Sequence, residues 1–248
     1  APITPLREKI HALAQCHIVQ VIIAHFDQTI AALTADTFIE NILVNTLHVK
    51  WLIIGEAFRF GKGRKGTTDD LEKAGQQYGF HVEVVPAVTD RNSRISSSSI
   101  RQALEQGDFG TVSALLGRPY TLSGHIVHGD KIGRELGFPT ANIPIRHYNP
   151  ILSGVFITRV HGLSATPLPS VSMIGTRPTI ESDRHIMLET HILDFHRECY
   201  GALVQIEFLK KLRDNRKFPD LKALTAAIGN DVSVTRSFFE KQNTPTKN

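Results

Sequence analysis

Two cysteines in 248 residues, Cys16 and Cys199, are too few for a disulfide framework, and no zinc-site spacing of cysteines and histidines is seen. His191 and His196 would face opposite sides of a strand, which makes them a poor metal pair. No apolar run exceeds a few residues, so no transmembrane helix is expected. There is no signal-peptide pattern either, and with so little cysteine the expected location is the cytoplasm. Internal repeats and low-complexity tracts are absent. Aromatics are sparse, with one Trp and four Tyr, so the C-terminal half lacks the interleaved rings on which nucleic-acid bases stack. Residue 1 is alanine and the first residues run directly into a helical pattern, which predicts a fragment of a longer chain.

What is present is a globular composition, 41% hydrophobic and 21% charged, with a formal net charge of +4. A mild basic excess suits an anionic small molecule as well as nucleic acid, and charge alone does not choose. The order of elements is more informative. From residue 5 to 115, helical and strand-like stretches alternate: "LREKIHALAQ" helix, "HIVQVIIAHF" strand, "ADTFIENILVNTL" helix, "HVKWLIIG" strand, "TDDLEKAGQQYG" helix, "FHVEVVPAV" strand. That alternation predicts a parallel α/β sheet of Rossmann type. After two short helices in "ISSSSIRQALEQGDFGTVSALLG", the character changes at Gly117. Many short strands separated by Gly, Pro and Asn turns then predict an antiparallel barrel or sandwich, closed by the helix "DLKALTAAIGNDVSVTRSFF". The expected fold is thus α/β plus β, with domains at 1–117 and 118–248.

Four stretches carry candidate chemistry. "GKGRKG" (Gly61–Gly66) is a literal G-x-G-x-x-G, but "EAFRF" separates it from the strand and three cations crowd it. A dinucleotide fingerprint needs a tight turn directly off the strand, so a basic phosphate-facing loop or a plain solvated loop fits better. "ISSSSIR" puts serines at a helix start with Arg101 just inside, an arrangement that could hold a phosphate or simply cap the helix. In "HGDKIGRELGFPTANIP", Gly129, Gly133 and Gly137 permit close backbone approach while Lys131 and Arg134 bring positive charge. Pro139 then stiffens the chain before Thr140 and Asn142, which share one face of an extended segment. Their neutral oxygens suit a magnesium ion that keeps phosphate and water as its other ligands. The alternative is a glycine-rich connection with a polar strand edge. Finally, "MLETHILDF" sets Glu189 in an apolar strand, on a face with Met187, His191 and Leu193. A carboxylate at a partly desolvated barrel mouth would be a useful base for an alcohol, or a structural partner of a cation.

Together "IIGEAFRFGKGRKG", "ISSSSIR", "LLGRPYTLSGHIVHGDKIGRELGFPTANIP", "IGTRPT", "LETHILDF" and "FLKKLRDNRKF" make the chain resemble the bacterial bifunctional riboflavin kinase/FMN adenylyltransferase family over essentially its whole length. The resemblance implies a six-stranded barrel that phosphorylates riboflavin to FMN, preceded by a Rossmann-like nucleotidyltransferase domain that adenylylates FMN to FAD. It implies that Thr140 and Asn142 hold Mg2+ and the ATP phosphates. The loop His128, Gly129, Lys131, Gly133, Arg134, Gly137, Phe138 would cover the nucleotide. Glu189 would take the proton of the ribityl 5′-hydroxyl, and Arg213 and Phe218 would border the flavin. Phe58, Arg59, Phe60, Ser96, Ser97 and Arg101 would belong to the adenylylation site. The expected partners are small molecules (riboflavin, ATP and FMN) with no nucleic acid and no membrane.

There are departures. The family's glycine–histidine loop, G-x-F-D-G-x-H-x-G-H, has no counterpart, because "AHFDQTIAAL" holds only the FD. This predicts an incomplete first domain. Ala57 stands where aspartate is usual, and Met173 where asparagine is common. Two other classes compete: a nucleic-acid-binding protein with a small basic β-barrel, and an NAD-dependent oxidoreductase reading "GKGRKG" as its fingerprint.

Overall fold

The computed structural model describes residues 2–90, 93–129, 132–145, 151–176 and 186–243. The chain forms two compact units, residues 20–95 on the one hand and residues 1–19 with 96–248 on the other. Helix α1 (Leu6–Gln15) belongs to the second of these.

The 20–95 unit contains α2 (Gln28–Ala32), α3 (Ala35–Thr37), a π-helical segment (Phe38–Thr46), β1 (Trp51–Gly55), a 3-10 turn (Lys62–Arg64), α4 (Thr68–Tyr78), β2 (His81–Val85) and the small pair β3 (Thr89–Asp90) and β4 (Ser93–Arg94). Strands β1 and β2 are parallel, as the alternation of elements predicts. Helix α4 starts in a capping box: the Thr67 hydroxyl accepts from the Asp70 N–H while the Asp70 carboxylate accepts from the Thr67 N–H. It stops at Gly79, whose φ of 76° is the left-handed conformation glycine adopts without cost. Ile39, Leu43, Ile54, Phe60, Leu71, Ala74 and Phe80 fill the core between helices and sheet.

One expected strand is not there. Residues 17–26 pair with nothing and carry exposed apolar side chains, Val19 fully and Phe26 at 77%. Alternating hydrophobicity makes a segment able to be a strand; the strand itself exists only against a neighbour's main-chain edge and an apolar cover. Strands β1 and β2 pair only with each other among the described residues, so the sheet is two-stranded and no such edge is occupied by this segment.

The other unit is built on six antiparallel strands: β5 (Thr121–His125), β6 (Ala141–Ile145), β7 (Gly154–His161), β8 (Leu168–Thr176), β9 (Ile186–Ile192) and β10 (Leu203–Arg213). They lie in the order β5-β10-β7-β8-β9-β6. The outer pair approach each other through a bridge in which the Val127 N–H donates to the Asn142 carbonyl at 2.8 Å. The sheet is thus a nearly closed barrel, which removes most of the exposed edge a six-stranded sheet would otherwise present. Helices α5 (Ser97–Gln106) and α6 (Phe109–Leu116) contribute Ile100, Leu104, Phe109 and Val112 to the same core as Tyr120, Phe156 and Phe208. The Phe109 ring meets Phe156 edge-on at 5.8 Å and Phe208 face-on at 5.7 Å. A short helix α7 (Ile132–Glu135) lies between β5 and β6, and α8 (Leu221–Asn243) ends the described chain.

Alternation along the strands separates two faces. Leu188, Thr190 and Ile192 of β9, Ser170, Ser172 and Ile174 of β8, and Phe156, Thr158 and Val160 of β7 are buried on the barrel side. Within this side runs a ladder of hydroxyls. Thr158 bonds Ser170 and Ser172, each at 2.7 Å, and Ser172 bonds Thr190 at 2.8 Å. Each hydroxyl is therefore satisfied despite complete burial. Helix α1 is fastened by Glu8, whose carboxylate accepts from both the N–H and the hydroxyl of Ser123 in β5.

Candidate active site

Glu189 lies between two informative neighbours. In the sheet its register partner on β6 is Asn142, and on β8 it is Met173. Asn142 and Glu189 therefore stand side by side, on the face opposite the barrel-side residues Leu188 and Thr190. Asn142 is almost fully buried at 5% exposure, and Glu189 is half-buried. Thr140, two residues before Asn142, is also half-buried and belongs to the same side of the extended segment. The chemistry-bearing residues of "GFPTAN" and "LETH" are thus brought together by antiparallel pairing of β6 with β9.

The glycine loop passes over them. At Gly129 a β-carbon would sit 2.8 Å from the Asn142 Oδ1 and closer still to its Nδ2, so only glycine lets the backbone come this near. At Gly133 it would meet the Phe138 carbonyl oxygen at 2.5 Å. Gly137 has a φ of 86° and closes the turn after α7. The Phe138 ring meets His191 edge-on at 5.6 Å, and the His191 Nδ1 lies 2.8 Å from the Pro139 carbonyl oxygen. His128 stacks on Tyr200 at 3.8 Å. Lys131 lies outside the described residues, as do Arg177, Pro178 and Thr179 of "IGTRPT".

A cleft of about 240 Å3 opens next to Thr140 on the barrel side of the sheet, where Ala141, Thr190 and Ile192 line it and Glu189 and Asn142 do not. Its walls include Ile126, Arg134, Thr140, Phe195, Cys199 and Tyr200. Its lining combines apolar and aromatic side chains with Arg134 and Arg197, the Thr140, Thr190 and Tyr200 hydroxyls, His196 and Glu198, a mixture of apolar wall and cationic groups that suits a heterocycle carrying phosphates. Burial pushes the Cys199 thiol up, which favours its protonated form. Tyr200 and Phe195 were not singled out by sequence; an aromatic after a strand-ending Asp carries no signal of its own.

Arg213, near the end of β10, donates from Nε and Nη2 to the Asp231 carboxylate of α8 at 3.0 and 2.8 Å. Its guanidinium also lies 5.6 Å from the centre of the Phe218 ring, and that of Arg216 lies 4.9 Å from it. Asp231 is another residue that sequence reasoning missed. Its signal is visible in retrospect: Asp231 and Thr235 are both buried and one helical turn apart, a polar pair on the packed face of α8.

The residues assigned to adenylylation fall in both units. In the 20–95 unit Phe60 is a core residue, its ring filling the space that a side chain at Gly66 would need. Phe58 is exposed and stacks on Phe60 at 5.8 Å, and Arg59 donates to the Phe58 carbonyl at 2.7 Å. "GKGRKG" forms an exposed 3-10 turn with positive φ at Gly61, Gly63 and Arg64, a geometry unlike a dinucleotide fingerprint. In the other unit Ser96 caps α5, its hydroxyl accepting from the Ser99 N–H at 3.1 Å. Ser97 is the first residue of that helix and Arg101 is half-buried on it.

Comparison with known proteins bears on both halves. A riboflavin kinase family model matches residues 116–239, and an FAD synthetase family model matches residues 1–99. The bifunctional riboflavin kinase/FMN adenylyltransferase of Escherichia coli K12 is 44% identical over 239 residues, 96% of this chain and 76% of that protein. Its counterpart from Haemophilus influenzae is 43% identical over 235 residues, 94% of this chain and 76% of that protein. A crystal structure described as a macrolide-efflux protein from Streptococcus pneumoniae superposes with a TM-score of 0.74 at 30% identity, covering 94% of this chain and 75% of that one. In the present chain no helix of the described residues is long and apolar enough to cross a membrane. With one family model matching residues 1–99, another residues 116–239, and such identity sustained across both, the chain belongs to the bifunctional riboflavin kinase/FMN adenylyltransferase family.

Proposed function

We propose that residues 118–248 phosphorylate riboflavin to FMN at the Glu189–Asn142 face, and that residues 1–117 carry the part of an FMN adenylyltransferase that this sequence contains. The observation that carries the reading is the register pair itself. A carboxylate and a neutral amide oxygen stand under a glycine loop, and Thr140, two residues from Asn142, lines a cleft with aromatic walls.

Phosphoryl transfer asks a protein mainly for alignment and charge stabilisation. In this reading the nucleotide base enters the cleft between Ile126, Phe195 and Tyr200, and its phosphates extend past Arg134 and Thr140. Glu189 accepts the proton of the ribityl 5′-hydroxyl as that oxygen attacks the γ-phosphorus. The bond from that phosphorus to the β,γ-bridging oxygen breaks, and ADP leaves with the electron pair.

The residues present also fit Mg2+. Among the described residues no three His, Cys, Asp or Glu side chains converge as a metal cage. A cation here would take its protein ligands from Thr140 and Asn142 and the rest from phosphate and water, the coordination small hydrated Mg2+ prefers. The glycine at position 129 keeps the space around the Asn142 amide clear of a β-carbon. Bound there, the ion would neutralise phosphate charge. Arg213 and Phe218 would form the flavin border, with Asp231 fixing the direction of the guanidinium.

The test is product chromatography from riboflavin and MgATP. FMN should form with the wild-type chain and fall to trace levels with Glu189→Gln. Retention of the chain on DNA in a salt-dependent manner, without FMN formation, would favour the rival nucleic-acid reading and overturn this one.

A further inference from the structure

His191 follows Glu189 by two residues on β9 and so shares its face. The structure gives its ring two contacts, both to the segment that leads into Thr140. Nδ1 is 2.8 Å from the Pro139 carbonyl oxygen, and the ring meets Phe138 edge-on at 5.6 Å. A carbonyl oxygen only accepts, so Nδ1 carries the hydrogen and donates it.

The position of this bond matters. Main-chain pairing between β6 and β9 ends at Ala141 and Thr190. Pro139 has no N–H with which to continue a ladder, and its ring already fixes φ. The remaining freedom is ψ, which turns the peptide plane joining Pro139 to Thr140. A donor on the Pro139 carbonyl holds that plane. One imidazole thereby ties the strand that carries Glu189 to the turn that carries Thr140, at the point where the sheet no longer does so.

We propose that His191 is a positioning residue for phosphoryl transfer: its Nδ1–H clamps the Pro139 carbonyl and so aims the Thr140 hydroxyl at the phosphates. This rests on the reading of Thr140 and Asn142 as the MgATP-holding pair. His191 touches no reactant in this account, and its effect is transmitted through Pro139.

Three variants of the full chain separate the clamp from mere packing. His191→Ala removes bond and ring. His191→Phe keeps an aromatic ring for Phe138 but has no N–H. His191→Asn loses the ring but can offer an amide N–H near the place of Nδ1. Steady-state kinetics of FMN formation, with MgATP and riboflavin varied separately, should show KM for MgATP raised about 3- to 10-fold in the Ala and Phe variants, the size expected for one lost hydrogen bond. KM for riboflavin should stay within about twofold, and the Asn variant should lie closest to wild type. Thermal melting checks that all three remain folded. An Ala or Phe variant with wild-type KM for MgATP overturns the proposal, and so does an Asn variant as impaired as Ala. Thr140→Ala guards the underlying reading: if it leaves KM for MgATP unchanged, that reading has failed whatever His191 does. If Thr140→Ala raises KM and adding His191→Ala raises it further by the full single-variant factor, the two act independently and the clamp is wrong.

Discussion

Glu189 and Asn142 are direct cross-strand partners, one on β9 and the other on β6. Such partners have β-carbons about 4.5–5.5 Å apart. In the proposed reading, Glu189 as proton acceptor and Asn142 as a phosphate-side oxygen ligand would at that spacing serve the attacking hydroxyl and the group it attacks. The pairing makes the first prediction specific. Glu189→Gln keeps size and shape but cannot take the proton, so kcat should fall about 100- to 10,000-fold with KM for MgATP little changed. Rapid-quench or steady-state measurement of FMN formation decides it, and near-normal turnover would remove Glu189 from the role of base.

The second prediction concerns Gly129, which matters for what it omits. A methyl group there would run into the Asn142 side chain. Either the loop lifts or Asn142 turns, and both disturb the phosphate side. Gly129→Ala should therefore raise KM for MgATP on the order of tenfold, from an overpacking cost of about 1–3 kcal/mol. The Mg2+ concentration giving half-maximal rate should rise with it, while riboflavin binding, followed by fluorescence quenching, should change little. Equal losses for both substrates would show that the substitution damages the barrel generally.

Much of this site is legible in the sequence because its residues come in short motifs whose spacing matches strand alternation. Thr140 with Asn142, and Glu189 with His191, each share a face once the segment is extended. An antiparallel barrel or sandwich is legible for a similar reason, since its turns are marked by Gly, Pro and Asn, whereas the closed six-stranded form is implied only by the family resemblance. What could not be read is anything that depends on pairing between distant segments. No local signal says that Asn142 lies opposite Glu189, that Tyr200 stacks on His128, or that Asp231 captures Arg213. The same limit explains the failed strand at residues 17–26. Its run of β-branched Ile and Val satisfies the local rule, and the missing ingredient is a partner that local sequence cannot display.

The hydroxyl ladder inside the barrel gives a stability prediction. Thr158, Ser170, Ser172 and Thr190 are completely buried and satisfy one another. Thr158→Val is nearly isosteric but deprives two serine hydroxyls of their shared partner, so it should cost about 1–3 kcal/mol. For a chain of this size that is a fall in Tm of roughly 2–4 °C per kcal/mol. Removing the partners as well, with Ser170→Ala and Ser172→Ala, should add less than the sum of the single effects, because no orphaned hydroxyl remains among those three. Thermal denaturation of the singles and the triple tests this. Strict additivity would mean that the hydroxyls do not act as a network.

The last prediction is about what the 248-residue chain does with FMN once it has made it. Adenylyl transfer requires the α-phosphate of ATP to be held in line and the departing pyrophosphate to be neutralised. In the family a glycine loop bearing histidines supplies much of that, and this sequence contains no such loop: "AHFDQTIAAL" has no glycine and no histidine after the FD. What remains are the exposed basic turn at Lys62–Arg64 and the serine-capped start of α5. The 20–95 unit also leaves Trp51 and Ile53 on β1 more than 60% exposed, and Ile22, Ile23 and Phe26 are exposed as well. An open, apolar strand pair of this kind favours association with other chains. The expected outcome is therefore FMN without appreciable FAD, from a protein that self-associates as its concentration rises. A chimera that adds the loop-bearing segment of a relative ahead of residue 1 should regain FAD synthesis and lose the self-association. Chromatography of products from riboflavin and excess MgATP, paired with light scattering, reads both. FAD accumulating from the 248-residue chain at a rate comparable to FMN would show that the adenylylation site is complete without the loop.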